Sequence, residues 1–183
     1  MSLTITFTTT AADRSGNSSG GIDATGNDIM LGRQTHSEKA WIPFVVTLPR
    51  YQRIVQATLW AYANVTRADT PRNLVGCEAA DNPAAPTTWA DLDSRVLTTA
   101  NNNFIFPPFT VGELHSYDVT AAVQEVLNRT GWASGNTLAV MFQDNGLSSV
   151  GEFRKLASFE HATLAPPFLE VIYPRFVGSY TFF

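Results

Sequence analysis

The chain has 183 residues and one cysteine, and only 15% of its residues are charged against 44% that are hydrophobic. A single cysteine excludes a disulfide scaffold. A net charge of −4 argues against a nucleic-acid-binding surface, which is normally basic, and 11% aromatic residues exclude a disordered chain. The length suits one domain with a sizeable core. The charged fraction is far below the roughly 25% usual in soluble domains, so part of the surface must be covered by something other than charge.

Apolar residues recur mostly every second position, the strand period. Residues 3–9 alternate, with Ile5 and Phe7 on one face and Thr4, Thr6 and Thr8 on the other. Residues 13–21 are rich in Ser, Gly and Asn and read as a polar loop. Residues 28–31 suit a short strand ending at Gly32. Residues 40–46 form another, in which Pro43 predicts an edge position or a bulge because it has no N–H to donate. Residues 54–65 carry the clearest strand: Leu59, Ala61, Ala63 and Val65 share one face, and Thr58, Trp60, Tyr62 and Asn64 the other. Between 68 and 116 the pattern weakens. Residues 74–79 and 94–99 read as strands, 81–86 as a loop and 101–103 as a turn.

Residues 119–128 break the β pattern, because Val119, Val123, Val126 and Leu127 fall on one helical face. Asp118 or Thr120 suits the N-cap, and Asn128 and Gly131 suit the stop. Residues 136–142 (NTLAVMF), apolar from Leu138 onward, read as a buried strand. Residues 151–159 alternate after a turn at Asn145-Gly146, and 168–173 close the series. Many short strands with one short helix predict an all-β, antiparallel sandwich. Residues 1–173 form this domain. Residues 174–183 (PRFVGSYTFF) form an aromatic C-terminal extension.

Several blocks carry a family resemblance. They are KAWIPF at 39–44, IVQATLWAY at 54–62, VGCEAADN at 75–82, Ser94-Arg95, DVTAAVQEVLNR at 118–129, GWASGN at 131–136, and the closure from Pro167 to Tyr173. Over about residues 25–173 the chain resembles the jelly-roll modules called DNRLRE domains. These are similar to carbohydrate-binding modules and recur in bacterial surface proteins and phage structural proteins. The resemblance implies a jelly-roll β-sandwich with no catalytic machinery. The family's late acidic-basic cluster is only approximated, by Glu152, Arg154 and Glu160.

The residues give little support to catalysis. His36, His115 and His161 lie in no nucleophile motif. Cys77 sits in an expected strand, where a buried inert thiol is the stronger reading. Asp91 and Asp93 read as solvated loop carboxylates rather than a glycosidase pair. No cofactor motif is present. A structural calcium is conceivable through Asp23, Asn27 and Asp28, or through Asp144 and Asn145, whose oxygens suit it. Among the aromatic candidates for sugar stacking (Trp41, Trp60, Tyr62, Trp89 and Trp132), Trp89 in a polar setting is expected to be the exposed one.

The stronger lead is the aromatic extension. Phe176, Tyr180, Phe182 and Phe183 must be buried against something, and exposed apolar patches mark interaction sites. They pack either on their own sandwich or on a neighbouring subunit. The first ten residues lack the basic and apolar regions of a signal peptide, and no apolar run is long enough for a membrane span. The expectation is therefore a non-catalytic structural protein of a virion, such as a capsid decoration or cement protein. Its partners would be protein subunits of the particle, bound as a homo-oligomer or on a capsid. The alternative is a carbohydrate-binding or adhesive module. Neither reading involves nucleic acid.

Overall fold

The computed structural model describes residues 2–9 and 13–175. The aromatic residues Phe176, Tyr180, Phe182 and Phe183 lie outside the described residues. Two antiparallel sheets face each other. The first has the order β1–β12–β6–β9, from β1 (Ser2–Thr8), β12 (Phe168–Pro174), β6 (Gln56–Tyr62) and β9 (Leu114–Asp118). The second has the order β3–β2–β5–β10–β7–β8. Its strands are β3 (Gly21–Asp23), β2 (Arg14–Asn17), β5 (Lys39–Val46), β10 (Asn136–Asp144), β7 (Arg72–Cys77) and β8 (Asn102–Ile105). A two-stranded piece, β4 (Asp28–Arg33) with β11 (Glu152–Ala157), completes the all-β sandwich.

The alternation read in β6 is realised. Ala57, Leu59 and Ala61 are fully buried between the sheets, while Trp60 and Tyr62 are half-buried on the outer side. The opposing sheet contributes Ile42, Phe44, Leu138, Val140, Phe142 and Val75 to the same core. Pro43 sits where expected: β2 pairs with β5 only over Lys39–Trp41, so beyond that point β5 is paired only with β10 among the described residues.

Helix α2 (Thr120–Leu127) occupies the expected segment and buries Ala122, Val123, Val126 and Leu127. The N-cap is Val119, without a side-chain cap bond, and not Asp118 or Thr120; the Asp118 carboxylate instead accepts from the Thr120 N–H and its hydroxyl, at 2.9 and 2.6 Å, just ahead of the first turn. Trp132 packs just beyond it and donates its indole N–H to the Leu48 carbonyl at 3.0 Å.

Four further expectations are corrected. Residues 13–21 are not a loop but most of the β2–β3 hairpin, in which the Asn17 side chain supplies the turn by accepting from the Ser19 and Gly20 amides. A second helix, α1 (Trp89–Ser94), stands where Asp91 and Asp93 were read as loop residues, and it takes only Ser94 from the expected 94–99 strand, the rest of which forms no strand. Beyond it, Leu97 makes only an isolated bridge to Glu78. Thr88 caps α1 by accepting from the Asp91 amide. Strand β8 takes in two residues of the expected 101–103 turn. Finally, β4 continues through Gly32, whose φ of +83° suits glycine. A Cβ there would stand 2.7 Å from the Glu152 carbonyl oxygen.

Arg154 is the largest buried cation. It is fully buried, donates to the Pro107 carbonyl from Nε and Nη2, pairs with Asp69 at 2.9 Å and lies over the Phe109 ring. It thereby ties β11 to the aromatic cluster of Phe106, Phe109 and Tyr117. Removing one partner of a buried pair strands the other, typically at a cost of about 3–5 kcal/mol. Arg154→Met should therefore lower the thermal midpoint by roughly 10 °C, read by calorimetry, whereas Arg50→Met, an exposed position, should shift it by under about 2 °C.

Candidate functional site

The outer face of the four-stranded sheet is the surface built most regularly by the pairing. Register places Thr8, Phe168, Trp60 and Ser116 in one row across β1, β12, β6 and β9. The next row is Thr6, Glu170, Thr58 and Asp118, followed by Thr4, Ile172 and Gln56. Tyr62 and Leu114 pair on the other side of the aromatic row. The Trp60 and Phe168 rings lie nearly parallel, with centroids 6.2 Å apart. Both are half-buried, so each keeps part of its surface open to solvent. A pair of aromatic rings framed by hydroxyls, an amide and a carboxylate can take an apolar ring face and bond its polar edge.

The same sheet ends in an unusual edge. β1 pairs with β12 on one side and with no other strand of its sheet among the described residues. Its sequence, SLTITFT, has seven residues with no charge and no proline. Exposed edges are usually short, charged, proline-bearing or bulged, because open N–H and C=O groups recruit another strand.

The aromatic expected to be exposed is placed differently. Trp89 opens α1 rather than standing in a polar loop, and it is half-buried against the small cluster of Trp41, Leu92, Ala139 and Met141. It covers the outer face of the six-stranded sheet. Trp60, half-buried like Trp89, stands beside a second half-buried ring, Phe168, on the outer face of the other sheet. The alternation of β6 already put Trp60 and Tyr62 opposite Leu59 and Ala61; only register could add Phe168, which comes from a strand 108 residues away.

The polar candidates are engaged structurally. Asp91 pairs with Arg95 at 2.8 Å and Asp93 with Lys39 at 3.4 Å. Arg95 also reaches Glu78, which accepts the Trp41 indole N–H at 2.7 Å. Asp23 accepts from the Thr25 and Gly26 amides. Asp28 pairs with Lys155 at 2.6 Å and accepts from Asn64. Asn145 bridges to Asn103 and accepts from the Leu147 amide. Cys77 is buried, and burial pushes its thiol up, away from the thiolate a nucleophile needs. His115 stacks on Phe109 at 3.9 Å, and burial lowers its pKa. His161 holds Asn64.

A cleft of about 430 Å³ lies beside the β2–β3 hairpin, lined by Asn17, Ile22, Asp23, Asp28, Glu38 and Lys155 among others. Among the described residues no three His, Cys, Asp or Glu side chains gather to hold a metal ion. None of the described helices is long and apolar enough to cross a membrane. No family model matches the chain, and no curated protein matches it.

Asp13 is the carboxylate most displaced from its ordinary behaviour. It is buried at 4% exposure, and burial pushes its pKa up to about 7. The Phe159 amide, donating at 2.8 Å, works against that shift, and the Glu160 charge adds to it. A carboxyl raised in the folded state binds its proton more tightly there than in the unfolded chain. Its stabilising contribution is complete below about pH 4 and is lost as the pH rises through about 7. Asp13→Asn should therefore raise the thermal midpoint by several degrees at pH 8 and leave it nearly unchanged at pH 4, measured by circular dichroism melts at both values.

Proposed function

We propose that the chain is a non-catalytic structural component of a larger particle, of the capsid-decoration or cement kind in a virion, that holds neighbouring subunits along one sheet edge. The observation that carries this reading is the unblunted edge of β1. It offers seven residues of extended backbone to an added strand, and strand addition gives affinity through main-chain hydrogen bonds. The aromatic extension, residues 174–183, continues directly from β12, the strand beside β1. Its Phe176, Tyr180, Phe182 and Phe183 are the side chains proposed to anchor on the neighbour. The resemblance to jelly-roll modules of phage structural proteins agrees with this assignment.

Sedimentation velocity at increasing concentration tests it. The full chain should associate. Thr6→Lys, which puts a charge on the outer face at mid-edge, and a chain ending after Arg175, which leaves β12 whole, should each return it towards the monomer with melting curves intact. A full chain that stays monomeric at every concentration, or associates equally after both changes, would overturn the proposal.

The Trp60–Phe168 pair supports a second reading, a carbohydrate-binding or adhesive surface on the outer face of the same sheet. Aromatic rings stack on the apolar face of a pyranose, and Ser116 and Glu170 stand in neighbouring positions to bond its hydroxyls. On a glycan array Trp60→Ala should lose at least tenfold in binding, as expected for a stacking ring contributing about 1.5 kcal/mol. Trp89→Ala, on the opposite side of the sandwich, should bind as the parent does. An array without any hit would remove this reading.

A further inference from the structure

One end of the inner face of the six-stranded sheet is polar where the rest is apolar. Ala40, Phe142 and Val75 lie in the core. Two residues along each strand direction the same face carries Glu38, Asp144 and Asn73. Asp144 is the register partner of Asn73 across β10 and β7, and its amide donates to the Glu38 carbonyl at 3.1 Å. The three are 6% exposed or less, with Asn73 completely buried.

Their hydrogen bonding is incomplete. Glu38 accepts from the Asn17 amide at 2.8 Å, and Asp144 accepts from the Ser37 hydroxyl at 2.7 Å, through one oxygen each. The other Asp144 oxygen, Oδ1, and both amide atoms of Asn73 are buried with no partner. Orphaned buried polar atoms are rare in folded proteins, and each calls for a missing partner. None of the ion pairs among the described residues includes Glu38 or Asp144. Two buried carboxylates therefore face each other without a counter-charge.

We infer that Glu38, Asp144 and Asn73, with the Ser37 hydroxyl, hold a calcium ion at this end of the sandwich. The donor set is all oxygen, which suits a hard cation, and two carboxylates match its charge. Calcium takes irregular sets of six to eight oxygens, so the remaining positions fall to backbone carbonyls and waters. Those waters also serve the Asn73 Nδ2, which cannot ligate. A lone buried water would satisfy Asn73 but leave both negative charges uncompensated. The cleft beside the β2–β3 hairpin is lined by Asn17 and Glu38, so one member of the donor set borders solvent-filled space. Arg33, bridged through its backbone to Ser37, is the competing cation, with its Nε buried and unpartnered.

Calorimetric titration of EDTA-stripped full-length protein with calcium chloride tests the site, alongside melts in calcium and in EDTA. One ion should bind per chain, and saturating calcium should raise the thermal midpoint by roughly 5 °C or more. Asp144→Asn should melt at the same temperature in calcium and in EDTA. Asn73→Asp, which adds a third carboxylate, should bind calcium at least tenfold more tightly, and it tests the site even if Asp144→Asn does not fold. Asp93→Asn, on the outer side of the sheet, should keep the parent response. No titration heat together with identical melts in calcium and EDTA would overturn the proposal and leave the orphaned atoms to water or to Arg33. A calcium response that survives Asp144→Asn would equally overturn it.

Discussion

The sandwich depends on one strand that must be covered on both sides. β10 pairs with β5 on one flank and β7 on the other, and its residues from Leu138 to Phe142 are all buried. Leu138, Val140 and Phe142 face the four-stranded sheet, whereas Ala139 and Met141 face outward. An outward apolar pair in the middle of a sheet needs a roof, at about 25 cal/mol per Å² of apolar surface removed from water. Helix α1, Trp41, Trp89 and Leu97 provide it. The stretch between β7 and β8 is therefore a second, thin layer of core. The Trp41–Glu78–Arg95–Asp91 chain of hydrogen bonds and ion pairs fastens that layer to the sheet.

Closure at the ends follows from the same constraint. Where β5, β10 and β7 run out of opposing apolar residues, their inner face turns polar, and polar groups taken from water need partners. The sandwich meets this demand in two ways. At Arg154 it is met internally, with a guanidinium shared among the Pro107 carbonyl, Asp69 and an aromatic ring. Asp69 shows the balance in its own titration: burial alone would raise its pKa, but Arg67, the Phe153 amide and Arg154 hold it below the usual range. At Glu38, Asp144 and Asn73 the side chains alone leave three atoms unserved. The Arg154 cluster also leaves the Tyr117 hydroxyl unpartnered, but only the second cluster holds two carboxylates outside every ion pair among the described residues.

The sequence made legible whatever depends on local periodicity. The two faces of β6, the apolar run of β10, the α2 stripe and the meaning of Pro43 could all be read from neighbours in the chain. What escaped was set by distance or by brevity. α1 has six residues and one buried side chain, Leu92, too short for a helical stripe. The β2–β3 hairpin is polar because Asn17 makes its turn with its side chain, and polarity alone reads as loop. Trp89 was judged by its polar neighbours in sequence, but its environment is Trp41 and Met141 from other strands. Phe168 and Asn73 carried no signal, since each matters only through a register partner: Trp60 in one case, Asp144 in the other.

Among the described residues the four open edges of the two main sheets are not equivalent. β3 has three residues, which limits any added ladder. β8 has four, beginning with two asparagines. β9 has five and ends in Asp118, whose carboxylate is already committed to Thr120. β1 has seven, uncharged and proline-free, and its exposed side chains are largely threonines that suit a β-ladder. A chain with so little charge has few means of protecting an edge. The three other edges are shorter, and β1 alone combines length with the absence of charge and proline.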